Sequence, residues 1–232
     1  MKIVIIHGQS HKGSSYHMGR MLVNRIEEGK NITEYFLPKD LNRFCMGCYT
    51  CLKDEKKCPH YEEVGPIQKK MEEADLLVFT TPVYCQRTSA PMKSLLDHLF
   101  INWMPHRPKE SMFFKKAVVL SSAAGSGMTS AIKDIKTSLN YWGISYVKGY
   151  GVRSAAMRWE DVKTDKKEKI EKDLTKLAEE LKKNKPAKVS IKTKIIFMIM
   201  ASMQKANMGS CPEDKEYWEK QGWLGDKRPW KK

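Results

Sequence analysis

The chain has 232 residues, a hydrophobic fraction of 41% and six tryptophans, which is the composition of a folded globular protein. Its formal net charge is +15, but the sequence carries no recognisable nucleic-acid-binding motif, and its lysines are interleaved with acidic residues, as in residues 161–185. A solvated helix face therefore explains the charge better than a polyanion groove does. The longest apolar run, 195–201, is far shorter than the about 20 residues that cross a bilayer. Without a membrane span or a secretory leader, we expect a cytoplasmic protein with reduced thiols.

Short apolar runs alternate with helical patterns along the first 185 residues. The apolar runs are typical of strands buried in a sheet, and the other segments carry apolar residues on one helical face. In chain order, the predicted elements are strand 2–7, helix 15–28, strand 32–37, helix 66–73, strand 75–81, helix 90–100, strand 116–121, helix 128–142, strand 144–149 and helix 161–183. This alternation predicts an α/β fold with a doubly wound parallel sheet and helices on both faces.

The predicted elements place one domain over residues 1–185 and a C-terminal tail over residues 186–232. The tail combines a basic amphipathic stretch, KTKIIFMIMASMQK, with an aromatic end, YWEKQGWLGDKRPW. Because such a tryptophan-rich segment favours a packed environment, we expect the tail to dock on its own domain or on a second subunit.

The loop after the first strand, HGQSHKGSSYHMG, is rich in hydroxyl and glycine residues and leads into a helix. It matches neither GxGxxG nor GxxxxGK[ST], so it does not favour a dinucleotide site or an NTP-hydrolysing loop. Hydroxyls and free N–H groups at a helix N-terminus suit a terminal phosphate monoester. An ordinary serine turn that caps the helix is the alternative.

Two later loops suit a planar ring. The loop TTPVYCQRTSAPMKSLLDH presents the aromatic Tyr84 after a strong strand, and SSAAGSGMTSA offers small residues that let a ring approach the backbone. In an open α/β sheet, ligands bind beyond the carboxyl ends of the strands, where all three loops begin. One phosphate loop and two ring loops together indicate FMN.

The same three loops, HGQSHKGSSY, TPVYCQRTSAPMKSLLDH and SSAAGSGM, resemble the flavin loops of the flavodoxin-like NADPH-dependent FMN reductase family over about residues 1–155. The resemblance implies a flavodoxin-like sheet of five parallel strands in the order 2-1-3-4-5, one FMN per chain, NAD(P)H as co-substrate, and a homodimer or homotetramer. By position, it assigns the phosphate to Ser10, Lys12, Ser14, Ser15 and Tyr16. It assigns the two sides of the flavin ring to Pro82, Val83, Tyr84 and Gln86, and to Ser122, Ala123, Ala124, Gly125 and Gly127. The first loop departs from the commoner family pattern GSPRxxGNT.

Four cysteines are crowded into the loop after the second strand, in CMGCYTCLKDEKKCP: Cys45, Cys48, Cys51 and Cys58. The spacing C-x2-C-x2-C-x6-C before a proline is close to the bacterial ferredoxin run. Structural zinc sites more often use two separated C-x2-C pairs, and disulfides are disfavoured in the expected compartment.

This cysteine loop also resembles the iron–sulfur flavoprotein branch of the same family, which implies a [4Fe–4S] cluster on these four residues. A packed loop without a cluster, as in FMN-only relatives, is the alternative. Because loops that follow parallel strands start at one edge of the sheet, we expect the cysteines on the same edge as the flavin loops. The lone Cys85 and Cys211 are expected to be small packed residues.

The sequence thus predicts an FMN-dependent NAD(P)H oxidoreductase that passes electrons to a quinone, another small oxidant or a redox protein, through a cluster if one is bound. One alternative is an electron-transfer module that exchanges electrons with a ferredoxin-like carrier, which the positive charge favours. Another is a zinc-binding or thiol-redox protein built on the cysteine loop. No catalytic acid or base is assigned, because hydride and electron chemistry belong to the flavin.

Overall fold

A computed structural model of the protein describes residues 1–183, 186–209 and 211–231. The strands are β1 (Ile3–His7), β2 (Ile32–Phe36), β3 (Leu76–Tyr84), β4 (Arg87–Thr88), β5 (Lys116–Ala123) and β6 (Tyr146–Arg153). The helices are α1 (Ser14–Ile26), α2 (Thr50–Lys53), α3 (Tyr61–Glu73), α4 (Ala90–His98), α5 (Met128–Tyr141), α6 (Thr164–Lys182), α7 (Ile191–Lys205) and α8 (Pro212–Lys220).

The sheet has the order β2-β1-β3-β5-β6, and all of these strands run parallel. Counted among parallel strands alone, this is the expected order 2-1-3-4-5, so the α/β prediction with a doubly wound sheet is confirmed. The sixth strand, β4, was not predicted: it pairs antiparallel with the end of β3 and closes a hairpin. Every residue of β1 is buried, as the continuous apolar run requires of a strand covered on both faces.

Helices cover both faces of the sheet. On one face, α1 and α6 pack against the sheet through buried residues such as Met18, Leu22 and Leu174. On the other, α3, α4 and α5 form the larger core, which includes Leu95 and Leu139. The sheet is therefore held rigidly between two layers, and its carboxyl edge carries the loops.

The boundaries differ most from the predictions at α3 and β6. Helix α3 begins at Tyr61, so Pro66 lies inside the helix and not in its first turn. Strand β6 begins at Tyr146 and runs on to Arg153 because it is a half-exposed edge strand, which an apolar run does not mark. The short α2, within the cysteine loop, was not predicted either.

The tail packs on its own chain. Phe197, Ala201, Trp218 and Trp223 form a third buried cluster with Met104 and Phe113, which belong to the segment between α4 and β5. The start of the tail is also attached to the domain, because Ala187 N–H donates a hydrogen bond to Phe114 O at 3.0 Å. Residue 185, where we predicted the domain to end, lies outside the described residues. Among the described helices, none is both long and apolar enough to cross a bilayer.

Candidate functional site

Three loops meet at the carboxyl edge of the sheet: 8–13 after β1, 82–89 at the end of β3, and 122–127 at the end of β5. The Gln9 side chain donates to Tyr84 Oη at 3.2 Å, which joins the first loop to the second. The Gln86 Nε2 group donates to Ser126 Oγ at 3.1 Å, which joins the second loop to the third. The polar contacts thus fix all three loops around one open edge.

The N-terminus of α1 presents free donors to this edge. Gly13 caps the helix without a side-chain hydrogen bond, and the first turn contains no acidic residue. Within the described residues, the N–H groups of Ser14, Ser15 and Tyr16 have no hydrogen-bond acceptor. Free N–H groups and the positive end of a helix dipole bind anions, so this turn fits a phosphate group.

Lys12 supplies the positive charge of the first loop. Its Nζ lies 5.5 Å from the centroid of the Tyr16 ring. His17, on the other side of Tyr16, stacks on Trp159 at 5.2 Å between ring centroids. Burial lowers the pKa of His17, and the nearby charges of Lys12 and Lys167 add to that effect, partly offset by Glu160. Lys12 is the lysine that the first loop offers to an anion.

A buried hydrogen-bond network around His7, the last residue of β1, lies directly before the first loop. His7 Nδ1 pairs with Thr80 Oγ1 and His7 Nε2 with Glu34 Oε1, both at 2.8 Å. Burial acts to raise the pKa of Glu34, but the hydrogen bond and charge of His7, with Arg20 and Lys12, outweigh it and leave the pKa below its usual value. His7 therefore links β1, to which it belongs, with β2 and β3.

The second loop is a tight hairpin. Tyr84 pairs with Arg87 across the two residues Cys85 and Gln86, whose φ angles are +48° and +65°. Two positive φ angles define a type I′ turn, which normally requires Asn or Gly, so this backbone is strained. Such strain collects at functional sites. Cys85 is exposed at the tip, so the expectation that it is a packed residue was wrong.

The third loop contains two glycines with different surroundings, Gly125 and Gly127. A Cβ on Gly127, where φ is +96°, would lie 2.7 Å from Val83 Cγ1 and 3.0 Å from the Gln86 backbone. By contrast, a Cβ on Gly125 would meet nothing within 4 Å, so the space above this residue is open. The loop therefore packs tightly on the hairpin at Gly127, while the space beside Gly125 is open.

The structure brings the residues assigned to FMN to this one edge. They are Ser10, Lys12, Ser14, Ser15, Tyr16, Pro82, Val83, Tyr84, Gln86, Ser122, Ala123, Ala124, Gly125 and Gly127. Gln9, Ser126 and Trp159 were missed by the sequence analysis. Gln9 and Ser126 lie inside the quoted loops, and Trp159 follows β6 at the same edge.

The four cysteines lie together in one loop. Cys45, Cys48, Cys51 and Cys58 line one small cavity together with His98 and Phe100 at the C-terminal end of α4. Helix α4 begins at the flavin edge, where Ser89 Oγ donates to Gly8 O, and its 9 residues run about 13 Å away from it. The cysteine loop also closes on the N-terminus of α3, where Tyr61 N–H donates to Cys58 O, so the expectation that it shares the edge of the flavin loops stays a prediction.

The cysteine cavity has the right donors for a cluster but a closed shape. Its volume is about 20 Å³, close to one water position. In the part of the chain that the structure describes, no group of three or more His, Cys, Asp or Glu side chains is arranged to share one metal ion. Four thiols that face one cavity are nevertheless the ligand set of an iron–sulfur cluster. The four thiols therefore match the ligands of a cluster, but the cavity between them is too small to contain one. The exposed part of the loop would have to move outward to make room for it.

The thiol electrostatics agree with that donor set. Burial raises the pKa of Cys51 to about 11, and the neighbouring Cys58, Cys45 and Cys48 contribute to the rise. The neighbouring cysteines contribute to the rise in pKa because thiolates close together would repel one another. Metal cations that bind the thiolates remove this repulsion. Cys48 is exposed, and its hydrogen bonds to Thr50 lower its pKa.

The C-terminal tail braces the cysteine loop. Asp214 is completely buried and accepts hydrogen bonds from His106 Nδ1 at 2.8 Å and Arg107 Nε at 3.0 Å. The guanidinium of Arg107 also donates to the carbonyl oxygen of Leu52, next to Cys51. A chain of contacts therefore runs from α8 to the cysteine loop.

Fold and site together define a flavodoxin-like α/β protein with three loops joined at the carboxyl edge of its sheet. The family model for NADPH-dependent FMN reductases matches residues 1–156, and the chain belongs to this family of flavin-dependent oxidoreductases. An iron–sulfur flavoprotein of Methanocaldococcus jannaschii is 39% identical over 100 residues, which are 42% of this chain and 51% of that protein. This chain thus spans about half the length of that relative. An iron–sulfur flavoprotein of Archaeoglobus fulgidus is 27% identical over 171 residues, which are 70% of this chain and 74% of that protein.

Solved structures share the fold. An FMN-dependent NADH-azoreductase from Bacillus anthracis, in complex with FMN, superposes with a TM-score of 0.57 at 14% identity and covers 78% of this chain and 100% of its own. An NAD(P)H:quinone oxidoreductase from Methanothermobacter marburgensis gives 0.55 at 16% identity, with 78% of this chain and 95% of its own covered. At these identities, the likeness concerns the fold alone.

Proposed function

We propose that the protein is an FMN-dependent NAD(P)H oxidoreductase that delivers electrons to a quinone, another small oxidant or a redox protein. The observation that carries the proposal is the carboxyl edge, where the loop before an uncapped helix N-terminus and the loops after β3 and β5 are joined by side-chain hydrogen bonds. When bound there, FMN supplies hydride acceptance from NAD(P)H and electron release to an acceptor.

Each part of the edge has a role in this proposal. The N–H groups of Ser14, Ser15 and Tyr16, with the hydroxyl of Ser10 and the charge of Lys12, would hold the phosphate. On one side of the ring, Pro82, Val83, Tyr84 and Gln86 would form a wall. On the other, Ser122, Ala123, Ala124, Gly125 and Gly127 would form a floor that admits the ring. The half-exposed Tyr84 leaves an opening through which a small substrate would enter.

We also propose that Cys45, Cys48, Cys51 and Cys58 hold a [4Fe–4S] cluster, which supplies transfer of single electrons. Support comes from the shared cavity and from the names of the relatives just described. Because α4 separates this cavity from the flavin loops, the two centres are separate sites within one chain. Whether the cluster lies nearer to its own FMN or to that of a neighbour would follow from assembly as a homodimer or homotetramer.

The first test is the visible spectrum of the protein purified without oxygen, with assays for FMN, iron and sulfide. We expect flavin bands, a broad shoulder from the cluster, and one FMN per chain. A colourless protein contradicts the whole proposal. Flavin without iron and sulfide removes the cluster alone, and zinc without flavin supports the thiol-redox or metal-binding alternative.

Charge reversal at Lys12 tests the phosphate site. We expect Lys12→Glu to weaken FMN binding on the order of thirtyfold, because an attraction of about 1 kcal/mol becomes a repulsion of similar size. Lys12→Gln should give about half of that change in free energy. FMN titration of the apoprotein, followed by flavin fluorescence, measures both.

The matched control is Lys30→Glu, which changes another exposed lysine, before β2 and at the opposite edge of the sheet. It changes the net charge by the same amount and should leave the FMN affinity within about twofold. Equal losses in the two variants would show that only the overall charge matters and would remove Lys12 from the site.

The net charge of +15 favours a second candidate, an electron-transfer module that serves an acidic, ferredoxin-like carrier. Stopped-flow reduction separates the two functions. An oxidoreductase is reduced rapidly by NADPH, whereas a module is reduced slowly by NADPH and rapidly by reduced ferredoxin.

A further inference from the structure

Helix α7 carries apolar side chains on the face that points away from the protein. Its inner face is buried through Phe197, Ala201 and Gln204, and the first two belong to the aromatic cluster of the tail. The outer face exposes an apolar stripe, and no other segment of the described chain covers it. The stripe consists of Ile191, Ile195, Met198 and Ile199, which are 77%, 55%, 45% and 51% exposed.

The positions of these four residues place them on one side of the helix. At 100° per residue, 191, 195, 198 and 199 fall within one third of the helix circumference. The same construction puts Lys192 on one border of the stripe, and Lys194 and Lys205 on the other, all of them exposed. An apolar strip with lysines along both borders is the pattern of a helix that lies in a lipid interface, where lysine side chains extend to the headgroups.

Along the sequence, the segment that carries the stripe has charge of one sign. Between positions 181 and 212 the sequence contains seven lysines and no acidic residue, unlike the mixed charge of α6. A second copy of the chain docked through this face would bring lysines against lysines, because a two-fold contact pairs a surface with itself. A surface of anionic lipid headgroups instead neutralises them, at about 1 kcal/mol for each lysine near the surface.

The placement of α7 leaves the flavin edge free. Ser190 N–H, just before the helix, donates to Ser145 Oγ, which precedes β6. Near its end, Gln204 donates to Pro105 O, and the adjacent Met104 N–H donates to Tyr141 O at the end of α5. Both ends of α7 therefore lie at the amino edge of the sheet, opposite the three flavin loops.

We propose that the outer face of α7 docks the protein peripherally on an anionic lipid surface, with the flavin edge turned toward water. This proposal does not depend on the cofactors. The proposal also gives the two lysine-rich segments different roles: the lysines of the tail contact lipid headgroups, whereas those of α6 form a solvated helix face.

The test is sedimentation of the full-length protein with vesicles made of phosphatidylglycerol and phosphatidylcholine in equal parts, and with vesicles of phosphatidylcholine alone. We expect binding to the anionic vesicles at low salt, release at high salt, and no binding to the neutral vesicles. Lys192→Gln with Lys194→Gln should weaken binding about thirtyfold. Ile195→Ser with Met198→Ser should weaken it on the order of a hundredfold.

The matched control is the pair Lys172→Gln and Lys176→Gln on α6, which removes the same charge from an exposed helix elsewhere. This pair should bind like the wild type. Equal losses from both lysine pairs, or no binding of the wild type to anionic vesicles, overturns the proposal. So does a wild-type dimer in solution that Ile195→Ser with Met198→Ser dissociates, because the stripe is then a contact between copies. Unchanged thermal unfolding of the variants shows that they are folded.

Discussion

Replacing Cys48 with alanine is expected to remove iron and sulfide from the anaerobically purified protein while FMN stays bound at one per chain. Cys48 is exposed, so the loss of its side chain costs little packing, and it supplies one of the four thiols around the cavity. The flavin remains because α4 separates this cavity from the flavin loops. Iron, sulfide and flavin assays on the same sample measure the effect.

Cys85→Ala is the matched control for iron, since Cys85 is likewise exposed but lies outside the cysteine loop. Its iron content should equal that of the wild type. If Cys48→Ala keeps its iron, Cys48 is not a ligand. If it loses iron and FMN together, the two sites are not independent, contrary to their separation along α4.

Replacing Asp214 with alanine is expected to lower the free energy of unfolding by about 3–5 kcal/mol, because it leaves a buried cationic partner without its counter-charge. Asp214 is completely buried, and the side chain of Arg107 is 13% exposed. The loss also frees Arg107 from its position at Leu52 O, so we expect a lower iron content as well. Urea unfolding followed by tryptophan fluorescence suits this test, because Trp218 and Trp223 lie in the tail cluster.

The control on the same helix is Glu216→Ala, an exposed carboxylate. A surface substitution of this kind should change the free energy of unfolding by no more than about 0.5 kcal/mol. If Asp214→Ala is as mild as Glu216→Ala, the buried network does not hold the tail to the domain.

The buried strands could be predicted well from the sequence. Strands β1 and β3 read as continuous apolar runs, because both of their faces are covered by helices. The edge strand β6 was predicted two residues too early and too short, since its alternating, half-exposed residues carry a weaker signal than the core residue Ile144 before it. The hairpin at Cys85 and Gln86 gave no signal at all, because the residues that usually mark a type I′ turn are absent.

The candidate flavin edge was predictable because topology fixes where loops after parallel strands begin. The contacts that shape it were not, since Gln9 with Tyr84 joins positions 75 residues apart and Gln86 with Ser126 joins positions 40 apart. The position of the cysteines relative to this edge stays a prediction. Topology determines where a loop starts, but a segment as long as the one between β2 and α3 ends where its packing is best.

The tail has a consequence for how the chain is made. During synthesis the sheet and its two helical layers are complete once α6 has left the ribosome, yet Met104 and Phe113 are then still uncovered. Asp214 reaches His106 only after 108 further positions along the chain have been translated. The contact between Arg107 and the cysteine loop is therefore among the last to form. We expect the newly made protein to expose an apolar surface until α7 and α8 pack on it, and the proposed cluster site to be braced only after α8 has formed.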